Sequence, residues 1–354
     1  MDAIRGVAVF IWLLSEIAVP ALYCLPPNSI TEAIAAQLSP SFWQGATARD
    51  LLLPTFCFVA GLSIVPAFHR RKAAGQSTRD LVLRILRRVS LLTAIGLICE
   101  GDLFEHWPSL RFVGAFQRIA VCYAIAACLE LTAGWRVQAG LLAFLLLDYW
   151  AILALTAAGS AAFSFEGNAA AVVDQLILPG RKYFGTWDPD GILTTIPAVA
   201  VTIAGLLAGK WLNAERLRGT DGTLRLIGLG VAAFNVAFLW DFVLPINPYL
   251  WTPSFCLVAI GTALVLLGGF HAILDVRRSL TWAVPLIALG RNALLVVVVT
   301  VLLRRAVVAL AFVVPLVQTF VPEGSASPAC GILTAFLVVA AALWLNRRGA
   351  YVTV

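Results

Sequence analysis

Long apolar runs separated by short polar breaks recur along the whole chain. Runs of about 18–23 residues are each long enough to cross a hydrocarbon core of roughly 30 Å as a helix. They predict spans over 4–24, 49–68, 84–101, 113–131, 137–158, 191–212, 225–244, 252–272, 281–303 and 329–346. An eleventh apolar stretch, "AVVALAFVVPLVQTFV" (306–321), is short and interrupted by Pro315, and reads as an interfacial or re-entrant piece. The predicted fold class is an all-α polytopic transmembrane bundle of about ten spans. It forms one transmembrane domain over 1–354, with no internal repeat and no low-complexity segment.

Composition agrees with this pattern. The chain is 61% apolar and only 12% charged, with a mean hydropathy of +0.92, against about 25% charged residues in soluble domains. The net charge of +6 is therefore a topology signal, and nucleic acid is not an expected partner. With Met1 cytoplasmic, most basic residues fall inside, including Arg5, Arg70–Lys72, Arg84–Arg88, Arg277–Arg278 and Arg347–Arg348, as the positive-inside rule asks. Arg304–Arg305 fall outside and run against it. Seven scattered cysteines show no CxxC or CxxH spacing, so neither a metal site nor a disulfide framework is expected. The first run carries no small-residue cleavage site before Pro26–Pro27 and is expected to stay as a span.

This topology puts three substantial loops outside, 25–48, 102–112 and 159–190. They hold Trp43, His106, Trp187 and several carboxylates, on the side where chemistry on an external substrate would take place. Ionisable groups also fall within spans: Glu16, Arg118 beside Gln117, Asp148, Asp241, and Arg291 beside Asn292. A charge at bilayer depth costs at least about 2.5–3.5 kcal/mol on insertion scales, so such groups pair or line a cavity. Pairing that only holds helices together is the plainer alternative. Glu16 is too short to snorkel from mid-span, and Arg118 is the expected partner of Glu16 or Asp50. In "WDPDG" (187–191), Asp188 and Asp190 are either N-caps of the following helix or site residues. Trp251, in "INPYLWTPSF" (246–255), is an interface anchor or a substrate platform.

Six motifs then occur in a recognisable order: "DAIRG" (2–6), "FWQGATARDLLLPTFCFVAGLSI" (42–64), "RFVGAFQRIAVCYAIA" (111–126), "GTWDPDGILTTIPA" (185–198), "LPINPYLWTPSF" (244–255) and "ALGRNAL" (288–294). Together they resemble the heparan-α-glucosaminide N-acetyltransferase-like family of multi-span membrane acyltransferases, over nearly the whole chain. The resemblance implies a helical membrane domain that takes acetyl-CoA, or another acyl-CoA, as co-substrate, with no metal. It implies delivery of the acyl group to a sugar amine or hydroxyl on the non-cytoplasmic side. The expected setting is a multi-pass membrane protein, in the cytoplasmic (inner) membrane if the chain is bacterial. The expected partners are the bilayer, acyl-CoA and a carbohydrate acceptor.

The resemblance also places residues. Asp2, Arg5, Trp43, Gln117, Arg118, Trp187, Asp188, Asp190, Trp251 and Asn292 are the implied binding positions. The family's W-x-G-x-T-x-x-D pattern stands here as Trp43, Gly45, Thr47 and Asp50. Its catalytic histidine, three residues before the Trp, falls on Pro40, which cannot take a proton. A polar position of the first span, commonly Asn in the family, falls on Glu16. Three readings follow. In the first, an acyltransferase draws its base from Glu16, Asp50 or His106. The second is a catalytically degenerate relative that binds a sugar, lipid or acyl-CoA. The third is a small-solute transporter with Glu16, Arg118 and Arg291 along its path.

Overall fold

The structure is a computed structural model that describes residues 1–22, 28–100, 110–156, 163–213, 219–277, 280–309 and 339–349. Among the described residues the regular structure is all helical, apart from a single bridge between Arg111 and Gly180. The helices are α1 (Asp2–Leu22), α2 (Ser29–Leu38), α3 (Leu52–Ala73), α4 (Thr78–Glu100), α5 (Ala115–Thr132), α6 (Trp135–Thr156) and α7 (Ala169–Ile177). After these come α8 (Ile192–Asn213), α9 (Thr220–Asp241), α10 (Pro253–Phe270), α11 (Val284–Arg291), α12 (Ala293–Ala309) and α13 (339–347). Six of them, α3, α5, α6, α8, α9 and α10 with its π-helical extension to Val276, are long and apolar enough to cross a membrane. The protein is an all-α polytopic membrane protein. Helices α1 and α4 lie where spans were expected. Most of the expected span 329–346, and the 306–321 segment beyond Ala309, lie outside the described residues.

One expected span is not straight. The run 281–303 is divided between Arg291 and Ala293 by a 65° bend. Asn292 leaves helical geometry there (φ −107°, ψ 20°), while its N–H still closes on the Ala288 carbonyl.

The residues fall into two compact units. The first holds α1, α2, α11, α12 and loop residues Thr47–Leu52. In it α1 packs along α11, and glycines set the approach. A Cβ on Gly6 would run into the carbonyl of Leu286, and one on Gly290 into the carbonyl of Asp2. The motifs "DAIRG" and "ALGRN" thus meet at one helix crossing. Asp2 pairs there with Arg5 and with Arg291, each at 3.4 Å.

The second unit holds Trp43–Ala46 and everything from Leu53 to Arg278. Helix α8 is its centre and packs on α5, α6, α7 and α10, with most of its side chains buried. Its sequence "GLLAG" puts Gly205 and Gly209 one turn apart on one face. That face lets α3 approach so closely that a Cβ on Gly205 would meet the Phe58 carbonyl. Small residues drive such contacts in membranes, because lipid supplies no hydrophobic force between helices.

Two short helices lie in stretches expected to be loops, and each begins at an asparagine. The Asn28 carbonyl oxygen Oδ1 accepts the N–H groups of Ile30 and Thr31 at 3.0 Å, and Thr31 Oγ1 accepts the N–H of Asn28 at 3.2 Å. This reciprocal capping satisfies donors that α2 would otherwise leave open. Helix α2 stops at Ser39 (φ −98°, ψ 152°), because the residue before a proline is pushed out of helical geometry. Asn168 Oδ1 accepts the Ala171 N–H at 2.8 Å and starts α7.

Candidate functional site

The loop between α4 and α5 and the loop ahead of α8 meet at a buried ionic cluster in the second unit. The Arg111–Gly180 bridge, with the Arg181 N–H on the Leu110 carbonyl at 3.2 Å, brings the two loops side by side. Arg111 then donates from Nε and Nη2 to the two carboxylate oxygens of Asp188, each at 2.7 Å. It also donates from Nη2 to Asp190 at 3.1 Å and from Nη1 to both oxygens of Glu100 at 3.2 Å. Asp188 is completely buried. Its carboxylate also accepts the backbone N–H groups of Tyr183 and Asp190, each at 2.9 Å, so its lone pairs are well used.

Burial opposes a charge on Arg111. The hydrogen bond to Asp188 and the charges of Asp190, Asp188 and Glu100 outweigh it and hold the guanidinium protonated more firmly than usual. Beneath this pair, Asp174 of α7 accepts the Asp188 N–H at 3.1 Å and the Ile192 N–H at 3.2 Å. Burial pushes the Asp174 carboxyl up from its ordinary value, against the pull of those two N–H groups.

Arg118, in the first turn of α5, completes the cluster. Its Nη2 donates to the Pro189 carbonyl and to Thr194 Oγ1, each at 2.6 Å, and its Nη1 lies 3.3 Å from Asp190. The guanidinium carbon sits 4.6 Å from the ring centre of Trp251, within cation–π range. Trp251 is buried and holds φ at +51°, a left-handed conformation that a bulky residue adopts only when its surroundings enforce it. Asn247 supplies that enforcement: its Oδ1 accepts the N–H groups of Tyr249 and Leu250 at 3.0 and 2.9 Å. Trp251 is thus buried as the floor under Arg118.

Aromatic rings flank this cluster. Trp43 stacks on Tyr249 (5.8 Å, 12°), meets Trp187 edge-on at 6.1 Å and Phe165 at 5.3 Å, and donates its indole N–H to the Phe163 carbonyl at 2.9 Å. Phe184 packs against Trp187, Phe165 and Tyr249. Tyr183 joins the rings to the ions, with Arg111 lying 5.2 Å from its ring centre. Trp187 is fully buried and forms the back of the group. Tyr183 and Phe165 are exposed, and Trp43, Phe184 and Tyr249 are half-buried.

In the first unit, the loop that follows α2 is organised by Asp50. Its Oδ2 accepts the N–H groups of Ser41 and Thr47 and the Thr47 hydroxyl, at 3.1, 3.0 and 3.0 Å. Glu16 pairs with Arg49 at 3.0 Å. The partner expected for Arg118 was Glu16 or Asp50. The structure gives it Asp190 instead, and Glu16 and Asp50 are engaged by their own loop. Pro40 is exposed on that loop. Asn292 is buried at the α11–α12 bend and donates to the Ala288 carbonyl at 3.3 Å. His106 lies outside the described residues. Sequence reasoning missed Arg111, Glu100 and Asp174. The sole cue was an arginine heading the "RFVGAFQR" motif.

No family model matches the chain. Among curated proteins, it is 27% identical over 318 residues to the human heparan-alpha-glucosaminide N-acetyltransferase, covering 72% of this chain and 47% of that protein. The mouse protein of the same name is 25% identical over 320 residues, covering 73% of this chain and 48% of that protein. The chain is a distant relative of these N-acetyltransferases. It spans about half the length of the relatives it matches, and the likeness takes in less of it than the order of motifs suggests. The ion cluster assembles residues of three motif stretches, "RFVGAFQR", "GTWDPDG" and "LPINPYLW".

Proposed function

We propose that the chain is a membrane acetyltransferase that moves an acetyl group from acetyl-CoA to an amine or hydroxyl of a sugar on the non-cytoplasmic side. The observation that carries this reading is the buried cluster of Arg111, Asp188, Asp190 and Arg118 set against partly exposed aromatic rings, in a chain related to N-acetyltransferases. A sugar ring offers apolar faces and polar edges, and rings such as Tyr183 and Tyr249 beside carboxylates suit both. An ammonium becomes a nucleophile only after losing a proton, and the thioester carbonyl needs donors for its developing oxyanion. The cluster holds both kinds of group.

For the co-substrate, α3 ends in Arg70, Arg71 and Lys72, and α4 carries Arg84 and Arg87 exposed nearby in sequence. Such a group of cations suits the phosphates of CoA. Acetyl-CoA, when bound, supplies the activated acyl group; this chain's part is to orient the acceptor and manage its proton.

Pro40 favours a second reading, a relative that binds acyl-CoA and sugar without rapid transfer. The test is the purified full chain in detergent, incubated with acetyl-CoA and a panel of amino sugars and neutral sugars. Acetylated product with acceptor-dependent release of CoA thiol is the expected result. Acetyl-CoA binding without product would favour the second reading, and absence of both binding and thiol release would overturn the proposal.

A further inference from the structure

Helix α4 buries one face and leaves the other open. Leu81, Ile85, Leu92, Gly96 and Cys99 are its buried positions, and the helix packs on α5. The open face carries Arg84 and Arg87, then Leu91, Ala94 and Ile98, all exposed, with Arg88 half-buried beside them. Steps of three and four residues set these side chains in one stripe along the helix. Its basic half is short of acceptors. Asp80, one turn before Arg84, already takes the Ser77 N–H and hydroxyl at 2.9 and 2.7 Å. Glu130, near the end of α5, is taken by Lys210 at 2.8 Å. Arg87 makes no hydrogen bond or ion pair among the described residues, and Arg88 Nε is buried there without a hydrogen-bond partner.

Depth makes this shortage matter. The Arg88 guanidinium carbon sits 4.2 Å from the ring centre of Tyr123, so Arg88 is held at the level of that ring. From Tyr123 to Thr132, the end of α5 that the basic-residue bias makes inner, the helix runs about 13 Å. A guanidinium that far into a span is costly unless an anion meets it. We propose that the open face of α4 docks one anionic phospholipid, with its phosphate on Arg84, Arg87 and Arg88 and an acyl chain along Leu91, Ala94 and Ile98. Three cations facing one committed carboxylate select a headgroup with net negative charge, and a guanidinium fork fits phosphate oxygens. Length agrees. From Arg87 to Ile98 the helix runs about 16 Å, which is half of a hydrocarbon core of roughly 30 Å and so the depth of one leaflet. CoA offers phosphates too, but its polar remainder has no use for the apolar half of the stripe. Arg84 and Arg87 are thereby assigned to lipid, and Arg70, Arg71 and Lys72 are left to the co-substrate. The docking face is independent of the acetyl-transfer reading.

The test uses the full chain, purified in neutral detergent and stripped of lipid. It is titrated with dioleoyl phosphatidylglycerol and with dioleoyl phosphatidylcholine, with bound lipid counted by native mass spectrometry and Tm recorded. One phosphatidylglycerol is expected to bind at least about 10-fold more tightly than phosphatidylcholine, and to raise Tm as a ligand of the folded state does. The double variant Arg84→Gln, Arg87→Gln should weaken phosphatidylglycerol binding by about 10-fold or more, from two lost contacts with the anionic headgroup. Its lipid-free Tm should not change, because both side chains are exposed. Should that Tm fall, Arg87→Gln alone carries the comparison, with weaker phosphatidylglycerol binding again expected. Coenzyme A and inorganic phosphate, each in excess, should leave the lipid bound. Equal affinity for the two lipids, or unchanged phosphatidylglycerol binding in the arginine variants, would overturn the docking face. Displacement by coenzyme A would overturn it as well and return the arginines to the co-substrate.

Discussion

Arg111 and Asp188 are 77 residues apart in the chain, yet meet through two parallel hydrogen bonds of 2.7 Å. A planar guanidinium fork matches a carboxylate in this way and a lysine cannot. Arg111 is 9% exposed and Asp188 not at all, so Asp188 would be a stranded charge without Arg111. Removing one partner of a buried pair costs about 3–5 kcal/mol. Arg111→Met is expected to destabilise the fold by about 3–5 kcal/mol, seen as a lowered Tm, and Arg111→Lys to restore only part of it. Thermal unfolding in detergent measures both, and a Tm unchanged in Arg111→Met would show that the pair does not hold the two loops.

Asp174 gives the pH dependence. Burial raises its carboxyl above the ordinary 3.8, so the folded chain binds this proton more tightly than the unfolded chain does. Its contribution is therefore fully present below the unfolded value and is lost as pH rises through the folded one. Comparing Asp174→Asn with the unaltered chain, the Tm difference should move against the unaltered chain as pH climbs from about 3.8. A difference that stays flat from acid to neutral pH would contradict the assignment.

The Gly205 approach makes a sharper packing prediction. Gly205→Ala puts a methyl group against the Phe58 carbonyl, and overpacking of this kind costs about 1–3 kcal/mol. Gly228 of α9 is the control, because a Cβ there meets nothing within 4 Å. Gly228→Ala should be neutral or stabilising by up to about 1 kcal/mol, the propensity gain of alanine over glycine in a helix. Equal Tm values for the two variants would mean that α3 and α8 do not cross at this glycine.

The spanning helices were legible because a bilayer forces a length and an apolar composition on each of them. Helices α2 and α7 were missed for the converse reason: at ten and nine residues they are too short to show periodicity. Their signatures were Asn28 and Asn168, caps that read as loop residues when no helix is expected to follow. The bend at Asn292 was hidden because the residues on both sides are equally apolar. Asp188 and Asp190 were singled out in the sequence, but their partner Arg111 was not. Which arginine reaches which carboxylate depends on two loops pairing at Gly180, and sequence spacing does not encode that. Arg118 was rightly marked as needing a buried partner, and the partner came from the loop ahead of α8 instead of the first span.

Pro40 carries the last prediction. The residue stands in the loop that Asp50 holds together through Ser41 and Thr47, where the family resemblance places a histidine. A positioned general base is worth about 10²–10⁴-fold, so the unaltered chain should be slow toward amines near neutral pH. Pro40→His is expected to raise acetyl transfer to an amino sugar by about 10²-fold or more, within that range. Asp50→Asn in the Pro40→His background should remove the gain, because the Ser41 and Thr47 donors lose their shared carboxylate and residue 40 loses its place. The measurement is the rate of acetylated product at saturating acetyl-CoA, with acetyl-CoA binding recorded alongside. A Pro40→His chain that binds acetyl-CoA but gains no rate with any amino sugar would show that the loop no longer faces the reacting atoms. If the unaltered chain is already fast, the base lies elsewhere, and His106→Ala should then abolish transfer while leaving acetyl-CoA binding intact.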